Sequence, residues 1–186
     1  MSNSPPLFGN GDLPGPLCVN MLSGLGTLCK LDNVNAYSQQ DSHTLFGRTT
    51  IIASVLPYHT VACAGTAAWI WLGGTFPETI DIIANAHFRA PRHGRKIHVY
   101  NRRLLSNHVI RVGPIQLTTP VRTACDLATI YSGSNEGERL AQEVISMLMQ
   151  EYHFRPSDCQ LVLQETRHIR NAPSARRLFL ALDGKS

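Results

Sequence analysis

The stretch Leu117-Thr-Thr-Pro-Val-Arg-Thr-Ala-Cys-Asp-Leu-Ala128 divides the chain into a strand-rich part before it and a helical part after it. Thr119 is a suitable N-cap and Pro120 suits the first position of a helix, so a helix is predicted to begin here. Before this point, short β-branched segments separated by turn residues predict strands that form an antiparallel sheet. These segments are residues 79–83, 96–100, 109–112 and 115–117.

Apolar residues recur at helical spacing in several other segments, which predicts further helices. Residues 67–72 are almost entirely apolar, with Thr66 as a predicted N-cap and Gly73 as a predicted C-terminal stop. Because the strands and the helices fall in separate blocks, the predicted fold class is α+β, with a small antiparallel sheet packed against several helices.

The chain has 186 residues, which suits one ordinary domain or a domain with a small appendage. Residues 1–16 are rich in proline, glycine and asparagine, and are predicted to be a disordered lead-in. Residues 17–37 form a short segment interrupted by glycine, and apolar residues at helical spacing begin at Leu45.

Positive charge is concentrated in one segment, although the formal net charge is only +4. No acidic residue lies between Asp81 and Asp126, a segment that contains eight arginines or lysines and four histidines. This asymmetry favours a polyanionic partner or an acidic protein surface; the alternative is that these side chains cover a solvated sheet face. The candidate binding residues are Arg89, Arg92, Arg95, Lys96, Arg102 and Arg103.

No pattern typical of catalysis is found. The chain lacks phosphate-loop, dinucleotide and nucleophile-elbow motifs, and its histidines have no metal-ligand spacing. The five cysteines form no Cys-x-x-Cys pair, which predicts ordinary reduced thiols. We therefore predict no catalytic residues, no metal and no cofactor, and so a protein that is not an enzyme.

Nothing in the sequence predicts export or membrane insertion. The longest apolar run is far shorter than a bilayer span, and the N-terminus lacks the basic and apolar regions of a signal peptide. A cytoplasmic protein without membrane contact is expected.

The stretch quoted first resembles the T-x-P-x-R-T-x-x-D-L-A motif of the AbiEi-type antitoxin family. Gly65-Thr-Ala-Ala-Trp69 with Leu72-Gly73, Ile97-His-Val-Tyr100 with Arg103-Leu104, and Arg176-Arg177-Leu178 resemble further family segments in the same order. The resemblance covers about residues 44–186.

The resemblance implies an antitoxin of a type IV toxin–antitoxin pair. Such proteins repress their own operon and counter a nucleotidyltransferase-like toxin without forming a stable complex with it. Their usual architecture is a winged helix followed by an α/β antitoxin domain, so residues 17–43 would be a truncated winged-helix-like remnant. The implied partner is DNA of the chain's own promoter, or RNA; no oligomeric state is implied.

Within the shared motif, Thr119, Pro120, Arg122 and Asp126 are interpreted as structural. Arg122 and Asp126 are four residues apart on a predicted helix, where they are expected to form an ion pair on an exposed face. The motif would then hold this helix against the sheet.

Three functions remain open. The first is a non-catalytic antitoxin-like or transcriptional regulatory protein that binds nucleic acid. The second is an interaction module that binds an acidic partner surface. The third is a nuclease-related protein, for which Glu78 and Asp81 are the carboxylates nearest to the basic segment.

Overall fold

The computed structural model describes residues 6–9, 11–14, 17–85, 93–133, 135–166 and 170–184. Its helices and small sheets confirm the α+β fold class. In chain order the elements are β1 (Phe8–Gly9), α1 (Cys18–Gly24), β2 (Leu28–Lys30), β3 (Asn35–Ser38), α2 (Gln39–Ser42), α3 (Leu45–Ala53), β4 (Val61–Ala62), α4 (Ala64–Leu72), β5 (Thr79–Ile83), β6 (Lys96–Tyr100), a 3₁₀ turn (Ser106–His108), β7 (Val109–Val112), β8 (Ile115–Thr118), α5 (Pro120–Ile130), α6 (Asn135–Tyr152), α7 (Pro156–Glu165) and α8 (Ala172–Asp183).

The larger sheet has the strand order β6-β5-β4-β8-β7 and is mixed, which corrects the prediction of an antiparallel sheet. The β5–β6 and β4–β8 pairs are parallel, while β4–β5 and β7–β8 are antiparallel. Two features explain the difference. The connection from β5 to β6 is long enough for a parallel crossover. In addition, the two-residue β4 is too short to leave a sequence pattern, yet it lies between β5 and β8.

The N-terminal segment forms a smaller antiparallel sheet in the order β1-β3-β2. Phe8 and Gly9 pair with β3, so these two residues form a strand inside the segment predicted to be disordered. Tyr37 of β3 packs against the rings of Trp69 and Phe76. The small sheet is thereby joined to the main core.

Helix α4 lies in the middle of the core. Trp69 and Trp71 are buried, and the Trp71 Nε1 donates a hydrogen bond to the Thr118 carbonyl at 2.9 Å. The predicted end at Gly73 is confirmed by its positive φ of 81°. The predicted N-cap is wrong: the helix begins after Cys63, and the Thr66 hydroxyl instead accepts a hydrogen bond from the Asp81 amide.

Helix α5 packs against β8 and against α4, α6, α7 and α8. It is therefore surrounded by other elements, and every residue from 122 to 129 is buried. Among the residues that the structure describes, no helix combines the length and apolar character needed to cross a bilayer.

Candidate functional site

The six predicted binding residues have different environments in the fold. Arg89 and Arg92 lie outside the described residues. Arg95 is half-buried and donates a hydrogen bond to the Leu31 carbonyl at 2.8 Å. Its guanidinium carbon also lies 5.6 Å from the centroid of the Phe76 ring, a cation–π geometry. Arg95 thus ties the start of β6 to the N-terminal segment.

Arg102 is also directed into the protein. Its side chain is only 13% exposed, and its Nη1 donates to Asp126 Oδ1 at 2.8 Å and to Thr129 Oγ1 at 2.9 Å. The guanidinium lies over the ring of Tyr100. Since its donors are directed at buried acceptors, Arg102 contributes little to the basic surface.

Lys96 and Arg103 are the two predicted binding residues that the structure places in an exposed position. Lys96 is the first residue of β6, the strand at one end of the larger sheet, and Arg103 follows this strand. We call these two residues the basic edge.

The ion pair between Arg122 and Asp126 forms as predicted, with 3.1 Å between Arg122 Nε and Asp126 Oδ1. Its predicted exposure is wrong, because both side chains are fully buried. At this turn, α5 is surrounded by the elements packed against it, so none of its residues faces solvent. Thr119 caps the helix as predicted, by accepting a hydrogen bond from the Arg122 amide, and Pro120 occupies the first helical turn.

The same arginine begins a polar chain that reaches the surface. Arg122 Nη1 lies 3.0 Å from His108 Nδ1, and His108 Nε2 lies 2.8 Å from Glu165 Oε2. A guanidinium only donates, so His108 Nδ1 is the acceptor and Nε2 carries the proton that is donated to Glu165. Sequence reasoning missed His108 and Glu165 because they come from a 3₁₀ turn and from α7.

Asp81 occupies a second buried polar position, on β5. Its carboxylate accepts from the Gly65 amide at 3.1 Å and from the Tyr131 hydroxyl at 3.3 Å, and lies 3.4 Å from His98 Nδ1. Burial raises the pKa of Asp81, against the opposing effects of the Gly65 amide and of His98. A Cβ at residue 65 would lie 3.1 Å from Asp81 Oδ2, so glycine permits this close approach.

Tyr100 and Tyr131 border the same carboxylate. Burial, followed by the Asp81 charge, raises the pKa of both phenols, so both remain protonated donors at neutral pH. The carboxylate that was considered for a nuclease is therefore enclosed by donors from α4, α5 and β6, whereas Glu78 is exposed.

The environment of the buried cysteines Cys63 and Cys125 disfavours their thiolate forms. Burial raises the pKa of both thiols, and the nearby Asp126 adds to the effect. A nucleophilic cysteine needs the opposite shift. In the described ranges, no three histidine, cysteine or acidic side chains come together in a way that would hold a metal ion.

Comparison of the chain with protein-family models finds no match, and comparison with curated proteins finds none either. The resemblance to AbiEi-type antitoxins therefore stays a prediction.

Proposed function

We propose that the chain is a non-catalytic, antitoxin-like regulatory protein that binds nucleic acid through the basic edge. The main support for the proposal is the burial of the two acidic residues that flank the acid-free segment. Asp81 and Asp126 are both buried, and Asp126 is neutralised by Arg102 and Arg122. Neither acid offsets the charge of Lys96 and Arg103 at the surface.

The position of these cations suits contact with a polyanion. Lys96 begins β6 and Arg103 follows this strand. In the described sheet β6 is an edge strand, so a phosphate backbone can approach it without displacing a neighbouring strand. Arginine and lysine dominate phosphate recognition because they donate several charge-assisted hydrogen bonds.

The regulatory part of the proposal rests on the AbiEi-type resemblance. In this view the Thr119–Asp126 motif is a scaffold element, and the protein acts in the cytoplasm on its own promoter DNA or on structured RNA. It would counter a nucleotidyltransferase-like toxin without a stable complex. The β2–β3 hairpin and α1 would correspond to the winged-helix-like remnant.

The test is a salt titration of binding to labelled promoter duplex and to structured RNA. The double variant Lys96→Ser/Arg103→Ser should lower the slope of log affinity against log salt by about two, since each phosphate contact contributes about 0.9 on duplex DNA. Adding Arg89→Ser and Arg92→Ser should lower it further. A variant that loses the same charge elsewhere, Arg111→Ser/Arg177→Ser, should keep most of the slope. Arg111 lies on β7, at the other end of the strand order.

Absence of salt-sensitive binding by the wild-type chain at low ionic strength contradicts the proposal and favours an acidic protein partner. An equal loss of slope in the control variant contradicts the assignment to the basic edge. Cleavage of either nucleic acid with magnesium or manganese, abolished by Glu78→Gln or Asp81→Asn, would establish the nuclease alternative instead.

A further inference from the structure

A cleft of about 460 Å³ lies between α4 and α6, with α5 as its floor. We call it the α4–α6 cleft. Its lining is mostly apolar, and small residues of α4 leave the space open. Side chains that define it include Ala68 and Leu72 of α4, Leu127 of α5, and Leu140, Val144 and Met147 of α6.

Helix α6 carries more apolar surface than the core uses. Ala141, Ile145 and Leu148 are buried, as expected for the core-facing side of the helix. A second stripe borders the cleft, in which Leu140 is 49% exposed and Met147 is 54% exposed. With Val144 between them, the stripe follows the i, i+4, i+7 spacing of one helix face. It covers about 10 Å of helix, at 1.5 Å per residue.

Three polar groups of the lining are already engaged. The Gly65 amide and the Tyr131 hydroxyl donate to Asp81, and the Trp69 Nε1 donates to the Gly74 carbonyl at 3.1 Å. A pocket for a polar small molecule usually presents a few convergent polar groups that are available to the ligand. The arrangement in this cleft favours an apolar occupant.

Acidic side chains of α6 border the apolar stripe. Glu136 and Glu143 lie four residues before Leu140 and before Met147, and Glu151 lies four residues after Met147, so each is a helical neighbour of the stripe. All three are exposed. Helix α6 has four glutamates against the single cation Arg139, a net charge of −3 (1 − 4). The rim is thus complementary to a basic partner.

We propose that the α4–α6 cleft binds a basic amphipathic helix of a partner protein. The apolar stripe of that helix would pack against Leu140, Val144 and Met147, and its lysines or arginines would face the glutamates of the rim. An exposed apolar stripe at helical spacing, about two turns long and beside a cleft, matches the helix-in-groove mode of recognition. The proposal is independent of the nucleic-acid function, because it uses neither residue of the basic edge that the structure describes.

The probes are two labelled synthetic helices of about five turns with the same leucine stripe. One carries lysine at its polar positions and the other carries glutamate. Fluorescence anisotropy with the full chain should show binding of the lysine peptide and not of the glutamate peptide. Leu140→Gln and Met147→Gln should each weaken that binding about tenfold or more, the loss expected when a central apolar contact is removed. Leu161→Gln is the matched control, because Leu161 is an exposed leucine of α7, outside the cleft. It should leave the affinity unchanged.

A separate set of variants tests whether binding requires the acidic rim. Glu136→Gln/Glu151→Gln should weaken lysine-peptide binding several-fold and reduce its dependence on salt. Asp41→Asn/Asp183→Asn removes the same charge from α2 and α8 and should change neither. Melting followed by circular dichroism checks that each variant is folded.

Equal binding of the two peptides, or unchanged affinity in both cleft variants, overturns the proposal. So does a dimer of the chain that Met147→Gln dissociates, since the occupant would then be a second copy. Displacement of an apolar dye from the cleft without any peptide binding would assign it to small ligands, and would also overturn the proposal.

Discussion

Two groups of basic side chains in the described structure differ in what they contact. Arg48, Arg102 and Arg122 are directed inward and donate to carbonyl or carboxylate oxygens, whereas Arg103 and Lys96 are exposed on the basic edge. Each inward arginine joins its own segment to another element of the fold, because one guanidinium can donate several hydrogen bonds in a fixed plane. The formal charge of a segment therefore overstates its surface charge wherever arginines are used in this way.

The two groups should respond to mutation in opposite ways. Loss of an inward arginine or of its partner leaves buried polar atoms without partners, and so lowers the free energy of unfolding. Loss of an exposed cation removes a possible phosphate contact but no internal hydrogen bond. Measurements of unfolding and of nucleic-acid binding on the same variants should therefore distinguish the two groups.

Asp126→Ala should cause the largest loss of stability. The substitution leaves the buried Arg122 without its counter-ion and also removes one of the two acceptors of Arg102. Breaking a buried ion pair from one side typically costs about 3–5 kcal/mol. Urea unfolding followed by circular dichroism measures the change.

The control uses the second arginine–acid pair at i, i+4 spacing, Arg139–Glu143, whose side chains are 67% and 57% exposed. Glu143→Ala should change the free energy of unfolding by about 0.5 kcal/mol or less, as is usual for solvated helix pairs. Similar losses in the two variants would contradict the interpretation that burial makes the difference.

Arg48→Met is expected to have the next largest effect. Arg48 donates to the carbonyls of Ile70 at 2.6 Å, Trp71 at 3.1 Å and Ser42 at 2.9 Å. Two of these carbonyls lie in the last turn of α4, where helical partners are missing. The loss should be about 2–3 kcal/mol, the scale of hydrogen bonds to a charged group.

The Trp71 carbonyl keeps one donor in this variant, the Tyr152 hydroxyl at 2.9 Å. Arg48→Lys should recover only part of the loss, because an ammonium cannot reach three carbonyls in the plane of a guanidinium. Full recovery by lysine, in the same unfolding measurement, would indicate that charge alone is responsible.

Asp81 is also buried, but the structure pairs it with an amide, a hydroxyl and a histidine instead of an arginine. Its pKa in the folded chain is raised above the ordinary value of 3.8 by burial. The folded state thus holds this proton more tightly than the unfolded state. The resulting stabilisation is present below the unfolded-state pKa and is lost as the pH rises through the folded-state pKa.

The stability of the wild type relative to Asp81→Asn should therefore fall as the pH rises above the ordinary carboxyl pKa of 3.8. Unfolding in urea at a series of pH values measures this difference. Asp183→Asn, at an exposed position of α8, controls for the loss of one carboxylate. A difference that grows with pH for Asp81→Asn would mean that its hydrogen bonds outweigh its burial.

Much of the architecture could be predicted from local pattern. Thr119 and Pro120 predicted the start of α5, Gly73 predicted the end of α4, and the β-branched segments predicted β5 to β8. These features depend on residues close together in the sequence.

The sheet order and the buried polar chains depend on residues far apart in the sequence, and local pattern did not predict them. The spacing of Arg122 and Asp126 identified their pairing, but only the packing of α7 and α8 around α5 determines that the pair is buried. The six candidate binding residues were predicted from the distribution of charge along the sequence, so Arg95 and Arg102 were included although both are engaged by internal acceptors.

The smallest expected effects come from a pair of arginines on either side of β6. Arg95→Ser removes a hydrogen bond to the Leu31 carbonyl and a cation–π contact with Phe76, which should cost about 1 kcal/mol of stability. Arg103→Ser, an exposed change, should stay within about 0.5 kcal/mol of the wild type. Binding should show the reverse order: Arg103→Ser lowers the salt slope on duplex DNA by about 0.9, while Arg95→Ser leaves it nearly unchanged. Unfolding and salt titration on the same two preparations give all four values. An equally large drop in slope for Arg95→Ser would mean that Arg95 gives up its hydrogen bond to the Leu31 carbonyl in order to contact phosphate. The division between inward and exposed cations would then fail at this residue.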